Sequence, residues 1–409
     1  RTRGRVGFSR DCLCPPESGA LLAQERISET DKDAELRRKA NRKIIEYCEQ
    51  SLDRNTHMNI QCNSCQNCKI CKNMRTVNAS SYNAYREQLA MEDLVKFTPP
   101  GKDENGSFSS LLPLKPYNIG SIRDNQESAD KYNLALVTKL QKDPRAKDDV
   151  KNEWEKLVKL GFLVKLVDLP KEVQDEINSN TRHFIAQTIA YKESSASTKT
   201  RICWDSSRSS KQSASLNSIL MKGAAEYSVA KMLIKFRENK YGISADISKF
   251  YNNLKLDAKH YHLHLAMWRP NLDPEEEAVI YVLLVHFYGI RSSGGLCLAA
   301  IKRIINYARE QNLEIIARIL EAAYVDDCNS SVSTKEEVET IKTNMPGFMR
   351  RHGFPIKGLA CSGEAPPDEL SEDGISVNVA GYKWRPEKDE LKIITPKTVS
   401  YTHLRAHET

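Results

Sequence analysis

The chain has 409 residues, of which 61 are Lys or Arg and 54 are Asp or Glu, so its formal net charge is +7. Hydrophobic residues make up 40% of it, the mean hydropathy is −0.55, and no apolar run approaches the roughly 18 residues that a membrane-spanning helix needs. These values are typical of a globular chain with polar stretches and exclude a membrane protein, so no membrane partner is expected.

The first ten residues, RTRGRVGFSR, carry positive charge with no apolar segment behind them, which does not match a secretory signal peptide. Because the sequence starts at Arg1 rather than Met, we expect an internal piece of a longer protein. Eleven cysteines in a large chain without a signal peptide favour reduced thiols or a metal site over a disulfide scaffold.

The net charge is the sum of two opposed regions. Residues 181–260 hold 14 basic and 6 acidic side chains, whereas residues 261–340 hold 7 and 12. A positive block can bind a polyanion, and an acidic block beside it can hold metal ions that bridge to the same polyanion. Ordinary solvated helix faces are the commoner origin of charge runs, so charge alone does not decide the function.

The first 97 residues are predicted to form a helical segment with a cysteine-rich knot. Residues 25–52 are dense in charge and place apolar side chains along one narrow stripe, which is typical of an exposed docking helix. A polar stretch with Pro and Gly follows, and residues 98–145 are therefore predicted to be a linker and lead-in to the next domain.

Four cysteines recur at every third position in QCNSCQNCKICKN, namely Cys62, Cys65, Cys68 and Cys71. Cys-x₂-Cys pairs can build a tetrahedral Zn²⁺ site, and four thiolates this close need a cation to stay together. A structural Zn²⁺ is one interpretation, although zinc sites usually separate the two pairs by a longer loop. An unoccupied or partner-shared cluster is a second interpretation. An iron–sulfur cluster is the third, and the usual final spacing and following Pro are not matched here.

From about residue 146 onward the pattern alternates strands and helices, which predicts an α+β architecture. Extended segments are predicted at 184–191, 201–204, 241–247 and 278–288, and helices within 146–166 and at 224–238 and 296–323. Two short apolar runs surround an acidic tip at 322–332, which is a hairpin signal. Thr334 and Glu337 form a capping box for a helix that is predicted to end near Gly353.

Three aspartates stand out in this region. Asp326 and Asp327 are adjacent at the predicted hairpin tip, and Asp246 ends an extended segment 80 residues earlier. Adjacent like charges repel unless a cation neutralises them, so they indicate a divalent-metal site. Two metals that share bridging carboxylates can polarise an attacking hydroxyl and hold leaving phosphate oxygens. Taken alone, residues 326–329 are also an ordinary turn rich in turn formers.

The sequence around these aspartates resembles the reverse transcriptase region of Bel/Pao-type long-terminal-repeat retrotransposons. The matching segments are, in order, ADISKFYNNLKL, VHFYGIRSSGGLCLAAI, AYVDDCNSSVSTKEE, RRHGFPIKGLACS and VAGYKWRPEKDELKI, and the resemblance covers roughly residues 115–395. It implies a right-hand polymerase palm and fingers over residues 146–395, built as an antiparallel sheet with packed helices.

The resemblance assigns roles to the acidic and aromatic residues. Asp246 and Asp326 match the two aspartates that bridge two Mg²⁺ or Mn²⁺ ions, and Asp327 matches the supporting third carboxylate. Tyr251 falls at the aromatic position that fills the space of a ribose 2′-hydroxyl and so excludes ribonucleotides. Phe250 and Tyr251 are also compatible with core positions, and one of the two is expected to face inward because strand neighbours alternate.

Cations of the fingers hairpin are assigned in the same way. Lys192 and Arg201 match the pair that binds the incoming triphosphate, with Lys199 as a nearby helper. Lys357 falls at the lysine proposed to protonate the leaving pyrophosphate. Without the resemblance, these would be exposed basic side chains on a solvated surface.

Two further segments match the family. Gly289 and Ser293 match the loop and helix start that, in the family, pack under the templating base and the nucleotide sugar. Tyr288 and Gly294 in the same segment differ from the residues that are usual in the family. The same glycines also fit a loop-to-helix hinge without a ligand. Residues 381–384 resemble the strand pair that grips the primer backbone, and Trp384 is equally compatible with a core position.

Together these assignments predict an RNA-directed DNA polymerase that joins a primer 3′-hydroxyl to the α-phosphate of a deoxynucleoside triphosphate. Its partners would be an RNA or DNA template-primer and the deoxynucleoside triphosphates. The resemblance also implies protease, RNase H and integrase segments of the same polyprotein, which are not recognisable in this chain. Expression would place it inside the cell, in a cytoplasmic particle.

Two other functions fit the same residues. A catalytically inactive remnant would keep the palm as a scaffold and bind nucleic acid through its basic face. A viral RNA-dependent RNA polymerase would need ribonucleotides, which an aromatic gate at Tyr251 would obstruct.

The C-terminal stretch 399–409, VSYTHLRAHET, resembles a translated sequencing adaptor. Its two histidines at i and i+4, His403 and His407, imitate a metal-binding pair on a helix. We expect this stretch to be an artefact that says nothing about the fold.

Overall fold

A computed structural model describes residues 79–101, 105–191, 200–211, 213–223, 229–371 and 373–392. The chain divides into two units, Arg1–Tyr82 and Asn83–Thr409, and nearly all of the described residues belong to the second. The predicted helix at 25–52 and the C-terminal stretch 399–409 lie outside the described residues, as do six of the predicted site residues: Cys62, Cys65, Cys68, Cys71, Lys192 and Lys199. No helix in the described part of the chain is both long and apolar enough to cross a membrane.

Short strands and α-helices alternate along the described residues, which confirms the predicted α+β class. The strands are β1 (Val95–Thr98), β2 (Ser107–Ser110), β3 (Leu163–Lys165), β4 (Ala186–Tyr191), β5 (Thr200–Asp205), β6 (Tyr241–Ile247), β7 (Leu254–Leu256), β8 (Leu265–Trp268), β9 (Val279–Leu283), β10 (Asp327–Val332), β11 (Ile356–Cys361), β12 (Val377–Val379), β13 (Tyr382–Arg385) and β14 (Glu390–Lys392). The helices are α1 (Ala79–Leu94), α2 (Gln126–Leu140), α3 (Pro144–Lys159), α4 (Lys171–Ser179), α5 (Leu216–Ile219), α6 (Val229–Arg237), α7 (Ser293–Glu310), α8 (Glu314–Glu321) and α9 (Lys335–Arg351).

The strands form several small sheets rather than one large sheet. The central sheet is antiparallel, with strand order β10-β6-β11. The sheets β3-β9-β8 and β12-β13-β14 and the hairpin β4-β5 are antiparallel as well. In the sheet β1-β2-β7, the pair β2–β7 is parallel.

One face of the central sheet is buried against helices. In β6, the side chains of Ile243, Ala245 and Ile247 are at most 1% exposed and share a core with residues of α7, α8 and α9. Because successive side chains of a strand point to opposite faces, Asp246 points away from this core. The sheet therefore presents Asp246 on its other face, where the side chain is only partly buried.

Helix boundaries follow local signals in the sequence. The capping box predicted for α9 is present, because Thr334 accepts from the backbone N–H of Glu337 and the Glu337 carboxylate accepts from that of Thr334. Gly353 ends this segment at φ +74°. The single helix predicted at 296–323 is instead two helices, α7 and α8, because Asn312 takes a left-handed conformation at φ +57° between them.

The segment 98–145 differs from the predicted linker. It contains β2 and α2, and the side chains of Phe108 and Val137 are fully buried. Strand β2 pairs with β1 on one side and with β7 on the other. A segment of mostly polar composition therefore forms a strand and a helix that pack against the core. A few apolar side chains are enough to anchor a short strand and an amphipathic helix.

A second core lies beneath the hairpin β4–β5 and the sheet β3-β9-β8. Its centre is aromatic: the ring of Trp154 stacks on that of Trp268 with centroids 3.9 Å apart, and Trp204 lies 5.9 Å from Trp154. Trp204 is in β5, so this aromatic core fixes the base of the hairpin that carries Arg201.

Candidate active site

Strand pairing brings two of the predicted aspartates together. In the antiparallel pair β6–β10, Asp327 is the direct partner of Asp246. Directly opposed residues of antiparallel strands have Cβ atoms about 4.5–5.5 Å apart and point to the same face. The two carboxylates therefore share the face of the central sheet that lies opposite the helical core.

Asp326 is held on a tight turn just before β10. The backbone N–H of Asp327 donates to Tyr324 O at 3.0 Å, and that of Tyr324 donates to Asp327 O at 2.7 Å. Between them Val325 has φ +59°, a conformation that is strained for a β-branched residue. The N–H of Ile247 donates to Asp326 O at 2.9 Å, so the turn is also tied to the end of β6. The predicted hairpin is thus reduced to this turn, and β10 pairs with β6 instead of a preceding strand.

The three carboxylates interact electrostatically. Burial, together with the nearby Asp326 charge, raises the pKa of Asp246 to about 6. Burial and the charges of Asp326 and Asp246 raise the pKa of Asp327 to about 7. Burial also raises the pKa of Asp326. Each carboxylate is therefore harder to ionise than an isolated one, because no positive charge close by fully offsets its desolvation and the repulsion within the group.

Two basic residues partly offset this repulsion. Lys357 lowers the pKa of Asp246, and Arg201 lowers that of Asp326. In β11, Ile356 pairs with Ile247 whereas Gly358 pairs with Asp246, so Lys357 is the extra residue of a β-bulge. A bulge redirects a side chain from the regular alternation. The structure thus places Lys357 and Arg201, which lie far apart in sequence, within electrostatic range of the carboxylates.

The two adjacent aromatics divide as predicted between the interior and the site. Phe250 is 3% exposed and belongs to the central core, whereas Tyr251 is partly exposed. Both lie in the 3₁₀ turn Phe250–Asn253, so the separation comes from a helical turn rather than from strand alternation. Burial and the neighbouring Cys297, Asp326 and Tyr288 raise the pKa of Tyr251 to about 12, which keeps its hydroxyl protonated.

The glycine of the following loop makes a close backbone contact. Gly289 has φ +100°, and a Cβ at this position would collide with the carbonyl oxygen of Trp204. Only glycine permits that conformation and that approach. The contact is with β5 of the chain itself, so it explains the glycine without a ligand.

Ser293 lies at the start of α7 and is 1% exposed. Its hydroxyl donates to Phe287 O at 2.9 Å and closes the loop between these residues. The Ser293 hydroxyl is therefore buried and engaged in this internal hydrogen bond, and it is not exposed beside the aspartates.

Sequence reasoning did not assign a role to two residues of this loop region. Tyr288 is 71% exposed, and its ring centroid lies 6.1 Å from that of Tyr251. Asn217 donates to the carbonyl of Gly289 and accepts from the N–H of Arg291. The difference between Tyr288 and the residue that is usual in the family was a sequence signal that could have marked Tyr288. No local signal marks the contact of Asn217 with this loop, because Gly289 and Arg291 are more than 70 residues away.

The residues at the turn have the donor chemistry of a magnesium site. Mg²⁺ is commonly held by one or two carboxylates, with water and substrate phosphates completing its coordination. Asp246 and Asp326 offer such carboxylates. Burial raises the pKa of both, and the Asp326 charge raises that of Asp246 further, so a nearby divalent cation would favour their ionised forms. Among the described residues, no group of three or more His, Cys, Asp or Glu side chains is arranged to hold a metal.

Trp384, in the strand pair that resembles the primer-binding element, is fully buried. Its ring packs edge-on against Phe236 at 4.9 Å, and its indole N–H donates to Asp389 at 2.9 Å. These contacts make Trp384 a core residue of the sheet β12-β13-β14. Lys383, the residue before it, points to the other face of the sheet, opposite Lys392.

No protein-family model and no curated protein matches this chain. Among solved structures, it is similar to a foamy viral protease-reverse transcriptase in complex with an RNA/DNA hybrid, with 15% identity and a TM-score of 0.41 over 61% of this chain and 27% of that one. It is also similar to a foamy viral protease-reverse transcriptase in complex with double-stranded DNA, with 17% identity and a TM-score of 0.40 over 61% of this chain and 37% of that one. The chain thus spans well under half of the length of either protein.

Proposed function

We propose that this chain is the reverse transcriptase region of a Bel/Pao-type retrotransposon polyprotein, an RNA-directed DNA polymerase. The observation that carries the proposal is the pairing of Asp246 with Asp327 across β6 and β10, with Asp326 on the strained turn beside them. Three interacting carboxylates on the partly exposed face of a small antiparallel sheet are suited to binding divalent cations and a polyphosphate.

In this proposal Asp246 and Asp326 hold two Mg²⁺ ions, and Asp327 supports them by hydrogen-bonding and charge. When bound, the ions would activate the primer 3′-hydroxyl and neutralise charge on the transferring phosphoryl group. Arg201 lies within electrostatic range of Asp326, and in this proposal its guanidinium would neutralise triphosphate oxygens.

The remaining roles fall to Tyr251 and Lys357. The ring of Tyr251 is partly exposed beside Asp326 and would occupy the space of a ribose 2′-hydroxyl, so deoxynucleotides are favoured by steric exclusion. Lys357 lies on the bulge next to Asp246 and could donate a proton to the leaving pyrophosphate oxygen.

Primer extension tests the proposal. The purified full chain is given an oligo(dT) primer on poly(rA) with Mg²⁺ and dTTP, and Asp326→Asn is compared with the unmutated chain. We expect extension by the unmutated chain and a loss of about a thousand-fold or more in the variant, because the carboxylate that neutralises the cations is gone. Asp368→Asn, an exposed aspartate elsewhere, is the control and should retain full activity.

The inactive remnant makes a different prediction for the same experiment. It would bind the primer–template, as measured by fluorescence anisotropy, and give no extension with either Mg²⁺ or Mn²⁺. That result would contradict the polymerase proposal. Equal incorporation of UTP and dTTP would instead favour an RNA polymerase.

A further inference from the structure

The loop between β9 and α7 presents an exposed aromatic ring beside Tyr251. Tyr288 is 71% exposed, and its ring centroid is 6.1 Å from that of Tyr251 at a 60° tilt. Tyr288 is also close enough to Tyr251 to contribute to its raised pKa. The two rings therefore form adjacent parts of one surface next to Asp326.

Residues 287–292 of this loop form no helix or strand, and a single side chain outside them supplies two of their hydrogen bonds. The Asn217 amide nitrogen donates to Gly289 O at 3.0 Å, and its oxygen accepts from the Arg291 N–H at 2.7 Å. Because a carbonyl only accepts and a backbone N–H only donates, these partners fix the orientation of the amide.

Asn217 is itself anchored to the end of the hairpin β4–β5. Its second amide hydrogen is directed to Ser207 Oγ at 2.9 Å, and its backbone N–H donates to Ser206 O at 2.9 Å. Ser206 and Ser207 directly follow β5, the strand that carries Arg201. Asn217 thus connects the hairpin end to the loop through one fully bonded amide.

The anchored loop cannot shift without breaking these bonds. Gly289 already lies against the carbonyl of Trp204 with no space for a Cβ, and the Ser293 hydroxyl closes the loop on the α7 side. Loss of the Asn217 amide would leave Gly289 O and the Arg291 N–H to water. The middle of the segment between Phe287 and Ser293, including Tyr288, would then lose the two hydrogen bonds that restrain it relative to Tyr251.

We propose that Asn217 is a positioning residue that holds the loop so that Tyr288 and Tyr251 together form the wall against which the nucleoside of the incoming nucleotide lies. This inference rests on the proposed polymerase function. It concerns nucleotide binding rather than the chemical step, because Asn217 contacts neither the carboxylates nor, in the structure, any group that would react.

The test compares Asn217→Ala, Asn217→Asp and the unmutated chain in single-nucleotide incorporation of dTTP. We expect both variants to raise the KM for dTTP by about 5- to 30-fold, the loss expected for two neutral hydrogen bonds, with kcat changed by less than about threefold. Asn217→Asp keeps an acceptor for the Arg291 N–H but sets a carboxylate oxygen against Gly289 O, so it should be no better than Asn217→Ala.

The matched control is Ser207→Ala. It removes the side-chain hydrogen bond between Asn217 and Ser207 but leaves the backbone bond to Ser206 and both bonds to the loop, so its KM should equal that of the unmutated chain. Hydrogen exchange of the loop is measured in parallel on all variants. Asn217→Ala should accelerate exchange of the Arg291 amide, and Ser207→Ala should not.

Several results would overturn the inference. Unchanged exchange at Arg291 would mean that Asn217 does not hold the loop, and faster exchange with an unchanged KM would mean that nucleotide binding does not depend on the loop. A fall in kcat at constant KM would indicate fewer folded molecules and hence a purely structural role. Absence of incorporation by the unmutated chain would contradict the proposed function itself, and this failure is visible without any variant.

Discussion

Two groups of buried ionisable side chains in this protein respond to burial in opposite ways. The carboxylate group comprises Asp246, Asp326 and Asp327, and their pKa values are raised, to about 6 for Asp246 and about 7 for Asp327. The histidine cluster comprises His183, His260, His264 and His286. Burial lowers the pKa to about 4 for His183 and His260 and to about 3 for His286, and it lowers the pKa of His264 well below its usual value.

The difference separates side chains that can be packed into a core from the carboxylates that we propose bind a cation. A buried histidine that loses its proton becomes neutral and needs no counterion, so the histidine cluster can be packed away: His264 and His286 are fully buried. The carboxylates are only partly buried and still carry charge near neutral pH. Their repulsion is relieved by protons at low pH or by a cation at high pH, which is what a metal-dependent site requires.

The two groups also predict opposite effects of pH on stability. The folded-state pKa values of the histidines lie below the unfolded value of about 6.5, so their contribution is present above that pH and is lost as the pH falls toward 4. Those of Asp246 and Asp327 lie above the unfolded value of about 3.8, so in the absence of metal their contribution is present at low pH and is lost as the pH rises through about 6 to 7.

The largest effect is expected from His264→Leu. Both ring nitrogens of His264 are buried without a hydrogen-bond partner, so replacing the ring by an apolar side chain of similar size should stabilise the fold by about 1–3 kcal/mol at neutral pH. The gain should grow between pH 6.5 and 4, where the unfolded histidine binds a proton that the buried one cannot. Thermal unfolding across this pH range measures it.

His352→Leu is the matched control. Its Nδ1 lies 2.8 Å from Phe348 O in a hydrogen bond, and its ring stacks on Tyr307 at 5.4 Å. Removal of a partnered histidine should destabilise the protein at pH 7. Equal stabilisation by both variants would show that the missing partners of His264 are irrelevant.

A moderate effect is expected from Asp327→Asn in the presence of EDTA. At pH 8 the substitution removes one of the repelling charges, so the melting temperature should rise by about 1–3 °C, given about 1 °C per kcal/mol from the average unfolding entropy per residue in a chain of 409 residues. At pH 5 the Asp327 carboxyl is already protonated, so the variant and the unmutated chain should have the same melting temperature. A rise of the same size at both pH values would contradict the electrostatic account.

The smallest effect is expected from Lys357→Gln. Lys357 is exposed, and its charge lowers the pKa of Asp246, so its removal should shift that pKa further upward. Carboxyl ¹³C chemical shifts followed by NMR report the titration of Asp246 directly. An unchanged midpoint would mean that the bulge does not bring the ammonium group close to Asp246.

Local sequence signals predicted the elements that position the site. The alternation in β6 and the capping box of α9 are properties of a few adjacent residues, so both were predicted at nearly the right positions. The sequence around Asp246 and Asp326 singled out the three carboxylates, and β6 and β10 pair Asp246 with Asp327. Their roles as metal ligands stay a prediction.

Features that depend on distant residues were not predicted. β2 has the sequence SFSS, which becomes a strand only because it pairs with β1 and with β7, about 150 residues later. The bulge at Lys357 is a matter of register between β11 and β6, and the role of Asn217 depends on a loop 72 residues away. No local pattern encodes these relations.

Binding of Mn²⁺ tests the central claim most directly, since the carboxylate group is proposed to be a divalent-cation site. Free Mn²⁺ can be quantified by EPR in a titration at pH 8 of the full chain, of Asp246→Asn and Asp326→Asn, and of Asp368→Asn as a control. We expect the unmutated chain and the control to bind Mn²⁺, and each of the two site variants to bind it at least about tenfold more weakly. Equal binding by all four proteins would contradict the assignment of Asp246 and Asp326 as metal ligands.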